Sequence, residues 1–186
     1  MLIRYRAEDF RPIRHMGGST PGWSVTYEEF EPWYQAAEDL YQVRGDARQD
    51  VTEPFHSGAY PHPPVPDEPA IADLRGRLTR AGMHPASLPL GVDIKRWLAS
   101  GATPWDAFPE TCGGKMDAET VGLAKALSHE TVSLLTGARA SRLLAGAGGR
   151  IAAVEFTRLG TLQRMSAPLV VLAAGAVNSE IGRAHV

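Results

Sequence analysis

Six prolines fall between residues 46 and 69, four of them inside Tyr60-Pro61-His62-Pro63-Pro64-Val65-Pro66. Proline has no amide hydrogen and a fixed φ, so this stretch is neither regular helix nor central strand. With Phe55 and Tyr60 it is too aromatic for a plain linker. It is expected to lie extended along a surface. Whatever order the chain has must therefore be built on either side of it.

On the N-terminal side, residues 1–25 read as a polar lead-in, with a loop at His15-Met16-Gly17-Gly18-Ser19-Thr20-Pro21-Gly22. Thr26-Tyr27-Glu28-Glu29 is a capping box, with Thr26 at N-cap and Glu29 at N3. Pro32 predicts an interruption: one helical turn, then a second start with Pro32 at its first position. Trp33, Tyr34, Ala37, Leu40 and Tyr41 then recur at helical spacing, and Gly45 ends the run. Beyond the prolines, Asp67 is the expected cap of a helix with Pro69 in its first turn. That helix carries Ile71, Leu74, Leu78 and Ala81 on one face and closes at Gly82. Residues 83–110 read as irregular.

The pattern changes after residue 111. Thr111-Cys112-Gly113-Gly114-Lys115 reads as a tight loop, and Asp117 opens a short helix through Leu127. Five strand candidates follow, at Thr131–Thr136, Ala140–Leu144, Arg150–Arg158, Leu162–Ser166 and Leu169–Ala173. In the third, Ala152, Val154 and Phe156 alternate with Ala153, Glu155 and Thr157, as in a half-buried strand. Gly146-Ala147-Gly148-Gly149 is the turn before it. The fifth is apolar throughout, as a strand covered on both faces must be. Residues 1–110 are thus loop-and-helix material, and 111–179 form a compact α/β unit.

Several function classes are excluded by composition. A net charge of −2 carries no basic stripe for nucleic acid. No stretch reaches the ~18 apolar residues of a membrane span. The single cysteine, Cys112, permits no internal disulfide. No GxGxxG fingerprint, Walker loop or Gly-x-Ser-x-Gly elbow is present. His15, His56, His62, His84, His129 and His185 show no ligand spacing, so no metal is expected. Asp9, Glu28, Glu29, Glu38 and Asp39 read as solvated faces and caps. Trp23, Tyr27, Phe30, Trp33, Tyr34 and Tyr41 are either helix-face core or the wall of a substrate chamber. Cys112 is either a reactive thiol or a small residue in a loop. Small residues ending the fifth strand, Ala173-Ala174-Gly175-Ala176, let a ligand or a second backbone approach; they also suit a plain core strand and turn.

Taken in order, several segments resemble the bacterial branch of the glucose-methanol-choline (GMC) flavoprotein oxidoreductases. They are Arg6-Ala7-Glu8-Asp9-Phe10, Gly22 through Tyr34, Gly114-Lys115-Met116-Asp117-Ala118, Leu134 through Ala140, and Leu172 through Ser179. Ser24 stands where that family usually has proline, and Trp33 where it usually has tyrosine.

The resemblance implies a mixed α/β (α+β) chain. It would hold part of a Rossmann-like FAD-binding domain with a β-meander (111–179) and part of the helical and loop substrate side (1–110). It implies FAD as cofactor and a small-molecule alcohol or sugar as substrate, oxidised at a CH–OH group by hydride transfer to flavin. Ala140 takes the place of a valine whose main chain reads the adenine edge. Ala174 and Gly175 let the backbone pass close to the cofactor. The family's glycine fingerprint is missing, and its catalytic histidine and partner lie beyond residue 186, so no residue here is expected to be catalytic. Residues 180–186 fit nothing in the family and read as a truncation, frameshift or cloning product. The alternative expectation is a non-catalytic fragment or pseudoenzyme that binds no flavin. The electron acceptor and the compartment stay open, with the cytoplasm as default.

Overall fold

The computed structural model describes residues 2–101, 113–175 and 177–179. It divides into two compact units, Met1–Glu130 and Thr131–Val186. Among the described residues the architecture is mixed: helices with two small antiparallel sheets.

In the first unit the lead-in is more ordered than a loop. A 3-10 turn at Ala7–Phe10 precedes a hairpin of β1 (Ile13–His15) and β2 (Gly18–Thr20). The turn needs left-handed backbone, and Met16 (φ 48°) and Gly17 (φ 76°) supply it. Helix α1 spans Tyr27–Leu40 without a break, although Pro32 lies inside it. Both bonds of the capping box form, Thr26 N–H to Glu29 Oε2 at 2.8 Å and Glu29 N–H to Thr26 Oγ1 at 3.3 Å. The expected interruption at Pro32 is corrected by the residues around it. Tyr27, Glu31 and Glu38 are buried at helical spacing on one face, and their anchoring on both sides of Pro32 outweighs one lost backbone bond. The buried face is only partly the expected one: Tyr34, Ala37, Leu40 and Tyr41 are half-buried, whereas Trp33 is 70% exposed and the buried positions are Tyr27, Glu31 and Glu38. The helix stops at Leu40 rather than Gly45. Gln42 turns left-handed (φ 51°), and Val43, fully buried, starts a different path.

That path explains the proline segment. Arg44 bridges Leu90 and His62, and Val92 bridges Lys115. The backbone pairs once or twice at each place, through Arg44 N–H to Leu90 O (2.8 Å) and Gly45 N–H to His62 O (3.0 Å), and prolines suppress a longer ladder. Gly45 fits here because a Cβ would stand 2.7 Å from the Tyr60 ring.

Helix α2 (Pro69–Arg80) has Pro69 at its first position as expected, but its N-cap is Glu68. Asp67 is occupied by a fork of hydrogen bonds from Arg75 instead. Its apolar face is largely open, with Ile71 and Leu74 about half exposed. A helix α3 (Ile94–Ser100) interrupts the segment expected to be irregular. Asp93 caps it, accepting from Arg96 N–H at 3.1 Å, and Gly101 (φ 64°) ends it. Asp117 caps the next helix as expected. That helix begins in π register (Ala118–Leu123) and continues as α4 (Ala124–Leu127).

The second unit is an antiparallel meander of β3 (Ala138–Ala145), β4 (Ile151–Arg158) and β5 (Thr161–Met165). These match three of the five expected strands. Leu159 and Gly160, both at positive φ, make the tight hairpin turn between β4 and β5. Phe156 is the buried residue of β4, and the strand is half-covered as its alternation implied. Two expected strands are corrected. Residues 131–136 are irregular, and so is Leu169–Ala173, where Leu169 and Val171 are more than three-quarters exposed. An all-apolar strand needs ladder partners and two covering layers. Among the described residues it has neither.

Candidate functional site

The densest polar chemistry lies in the first unit, around a side chain that the sequence did not single out. Arg4 is 2% exposed and sits against the buried face of α1. It grips Glu38 in a fork, Nε to Oε1 and Nη2 to Oε2, both at 2.7 Å. Its Nη1 donates to Glu31 Oε1 and Tyr27 Oη, each at 3.0 Å. Burial alone would lower the guanidinium pKa; the bonds to Glu38, Tyr27 and Glu31 more than offset it and raise it. Burial likewise pushes Glu31 up, but the Ser57 N–H at 2.7 Å and Arg4 hold its carboxyl below the ordinary value. The reading of Glu38 as a solvated face is therefore corrected. Its neighbours in that reading divide: Glu29 caps α1 and Asp9 accepts from Arg6 N–H at 2.7 Å, as expected of caps.

The network extends along the chain. His56 Nε2 lies 3.0 Å from Glu53 Oε1, and its Nδ1 lies 3.9 Å from Glu38 Oε2. Arg6 ties Glu53 and Asp50 together at 2.8 Å each. Acids and bases thus alternate from Glu31 to Asp50. The arrangement stitches α1 to the proline segment; every charge is paired, which suits a structural clasp more than a reacting centre.

The aromatic set is split by the fold. Tyr27, Phe30 and Tyr34 stack with Phe10 and Trp23 in one cluster, with centroids 5.0–6.1 Å apart. Trp33 faces solvent. Tyr41 instead borders a cleft of about 610 Å³ with Trp97, Val92, Lys115 and Met116. Lys115 Nζ stands 5.7 Å over the Trp97 ring. Gly114 packs on Trp97, where a Cβ would lie 3.0 Å from its Cα.

In the second unit an apolar hollow of about 300 Å³ lies on one face of the meander. Ala140 lines it, with Leu135, Val154, Phe156, Met165 and Val170. Ala140 pairs with Phe156, and β3 is an edge strand of the sheet. Ala174 and Gly175 are not part of this lining. They form an exposed turn in which Ala174 N–H donates to Ser179 Oγ (3.1 Å) and Gly175 O accepts from Ser179 N–H (2.9 Å). Gly175 has φ +82° and nothing within 4 Å of where a Cβ would be, so its flank is open. Cys112 and His185 lie outside the described residues. Among the described residues no three His, Cys, Asp or Glu side chains gather to hold a metal ion, and no helix is long and apolar enough to cross a membrane.

No protein-family model matches the chain. It is similar to 6'''-hydroxyparomomycin C oxidase of Streptomyces lividus, with 31% identity over 95% of this chain. The match relates the chain to an oxidoreductase. It covers 34% of the relative, so the chain spans about a third of the length of the curated protein it matches.

Proposed function

We propose that this chain is part of an FAD-dependent oxidoreductase of the GMC type that oxidises a CH–OH group of an alcohol or sugar. The observation that carries the oxidoreductase part of the reading is the similarity to a named oxidase over 95% of the chain; FAD and the GMC type rest on the resemblance of the segments from Arg6 to Ser179. That relative's name gives it a hydroxy compound as substrate, which agrees with a CH–OH donor.

The residues present fit one end of the dinucleotide. The hollow beside Ala140 is apolar and of a size for a flat heteroaromatic ring. An edge strand such as β3 keeps backbone N–H and C=O groups on its outer side, where they can read a base edge without any particular side chain. Ala140 would hold the adenine in that way, and the open turn at Ala174 and Gly175 would let the cofactor backbone pass. When bound, the flavin would supply the hydride acceptor. This chain's own contribution is to bind and orient.

The test is to purify the gene product from its natural host, record its visible spectrum and identify any cofactor released by heat. A flavin band near ~450 nm, released FAD and bleaching by a primary alcohol or sugar substrate are expected. A protein without flavin whose oxidation depends on a nicotinamide would overturn the reading. A protein with neither cofactor nor activity would favour the non-catalytic alternative.

A further inference from the structure

The apolar hollow occupies one face of the meander; the other face carries arginines. Arg142, Glu155 and Arg164 stand directly opposite one another across β3, β4 and β5, so their side chains share that face. Arg139, Thr157 and Leu162 form the neighbouring row. On a regular strand two residues three apart point to opposite faces, which would separate Arg139 from Arg142. The register shift between Ala140 and Arg142 leaves Ser141 over as a bulge and brings both arginines to the same side. Glu155 is the one acid in these two rows, and it is taken. Arg164 Nε donates to its Oε2 at 3.0 Å, and its side chain is 15% exposed against 65% for that of Arg164. Arg139 and Arg142 are exposed and have no ion-pair partner among the described residues. Cross-strand neighbours of opposite sign stabilise a sheet and like charges destabilise it. This face instead keeps a surplus of guanidinium.

A complementary face stands on α1. That helix contains no lysine or arginine. Its side away from the buried Tyr27, Glu31 and Glu38 carries Glu28, Glu29, Trp33, Ala36 and Asp39, all of them exposed. Glu29 accepts the Thr26 N–H and Asp39 accepts from the Gln35 amide, but no cation meets any of the three carboxylates among the described residues. Trp33 stands in their midst. Guanidinium groups suit both kinds of neighbour, through forked hydrogen bonds to carboxylates and stacking on an indole. The dimensions agree as well. Glu28 and Asp39 lie ~16 Å apart along the helix, and an eight-residue strand such as β3 runs ~26 Å.

We propose that α1 of one molecule docks on the arginine face of the meander in a second copy of the chain, with Glu28, Glu29 and Asp39 against Arg139, Arg142 and Arg164. A second copy is the occupant that the charges favour. Residues 131–186 hold six arginines against two glutamates, and residues 1–130 hold nineteen acids against thirteen bases. One helix on three strands covers less than the ~800 Å² per partner of a stable complex, so the contact is weak, reversible and salt-dependent. It rests on neither the flavin nor the substrate reading.

The experiment is sedimentation velocity on the full chain, at about 5–200 μM protein and in about 20 or about 300 mM sodium chloride. A sedimentation coefficient that rises with concentration is expected at the lower salt, with association about tenfold weaker at the higher. Arg139→Glu with Arg142→Glu should weaken association about tenfold or more, and so should Glu28→Lys with Asp39→Lys. All four changes together keep the net charge of −2 and restore the complementarity, so that variant should associate about as the wild type does. Added substitutions do not repair a damaged fold, so this variant separates docking from damage. The milder pair Arg139→Gln with Arg142→Gln should weaken association about threefold with an unchanged circular dichroism spectrum. A chain that stays monomeric at about 200 μM in the lower salt would overturn the proposal, whatever else covers the two faces. So would a fourfold variant that associates no better than the double ones. Association that high salt leaves intact, or that neither double variant weakens, would overturn it too and mark an apolar contact elsewhere.

Discussion

Replacing Arg4 by methionine tests the reading of the buried clasp most directly. The native side chain makes two 2.7 Å bonds to Glu38 and 3.0 Å bonds to Glu31 and Tyr27. Methionine matches much of the volume and none of the charge. It leaves two carboxylates, 5% and 4% exposed as residues, without their cation. Removing one partner of a buried ion pair typically costs about 3–5 kcal/mol, because the remaining charge is uncompensated. Against a domain stability of about 5–15 kcal/mol that is a large fraction. Guanidinium denaturation at pH 7, followed by tryptophan fluorescence of the first unit, should show this loss. The triple variant Arg4→Met, Glu31→Gln, Glu38→Gln should recover about half or more of it, because the stranded charges are gone.

The pH dependence has a definite sign. Glu31 has a lowered pKa in the folded state, so its contribution is present above its unfolded value and is lost as pH falls through the folded value. The wild type should therefore lose stability below about pH 4, while Arg4→Met, lacking that stabilised carboxylate, loses less over the same interval. A single-variant cost under about 1 kcal/mol, or a gap that widens on acidification, would refute the argument and mean that water reaches the cluster.

Two further measurements probe the local rules. Thr26→Ala removes the acceptor for Glu29 N–H and should cost about 1 kcal/mol, read as a lower denaturation midpoint with an unchanged slope. Phe156→Ala deletes the buried side chain of β4 and should cost about 3 kcal/mol; selective loss of amide protection across β3 to β5 would locate the effect in the second unit.

Much of the local structure was legible in the amino-acid order. Caps and turns act over three or four residues. Thr26 with Glu29, Asp117 before its helix, and the glycines ahead of β4 therefore declared themselves. The period-2 pattern around Phe156 did too, because one face of that strand is buried and the other is not. Asp93 and Gly101 frame α3 with the same kind of signal, hidden among prolines, glycines and tryptophans. The site was less legible. Ala140 was marked as a backbone position, and the structure places it in an apolar hollow; Ala174 and Gly175 fall on a separate turn.

Only tertiary structure decided which face of α1 is inside. Apolar periodicity pointed to Trp33 and Leu40, whereas Arg4, more than twenty residues upstream, draws Glu31 and Glu38 inward and carries the helix through Pro32. No local pattern marks an arginine for burial, because its burial is favourable only where the fold delivers two carboxylates to meet it. The same holds for Leu169–Ala173. Its sequence specifies a strand that needs neighbours, and whether those neighbours exist is a property of the fold and not of the segment. The sequence by itself thus determined the caps at Thr26 and Asp117, the turn before β4 and the three strands of the meander. The packing determined which charges are buried and which apolar segments are covered.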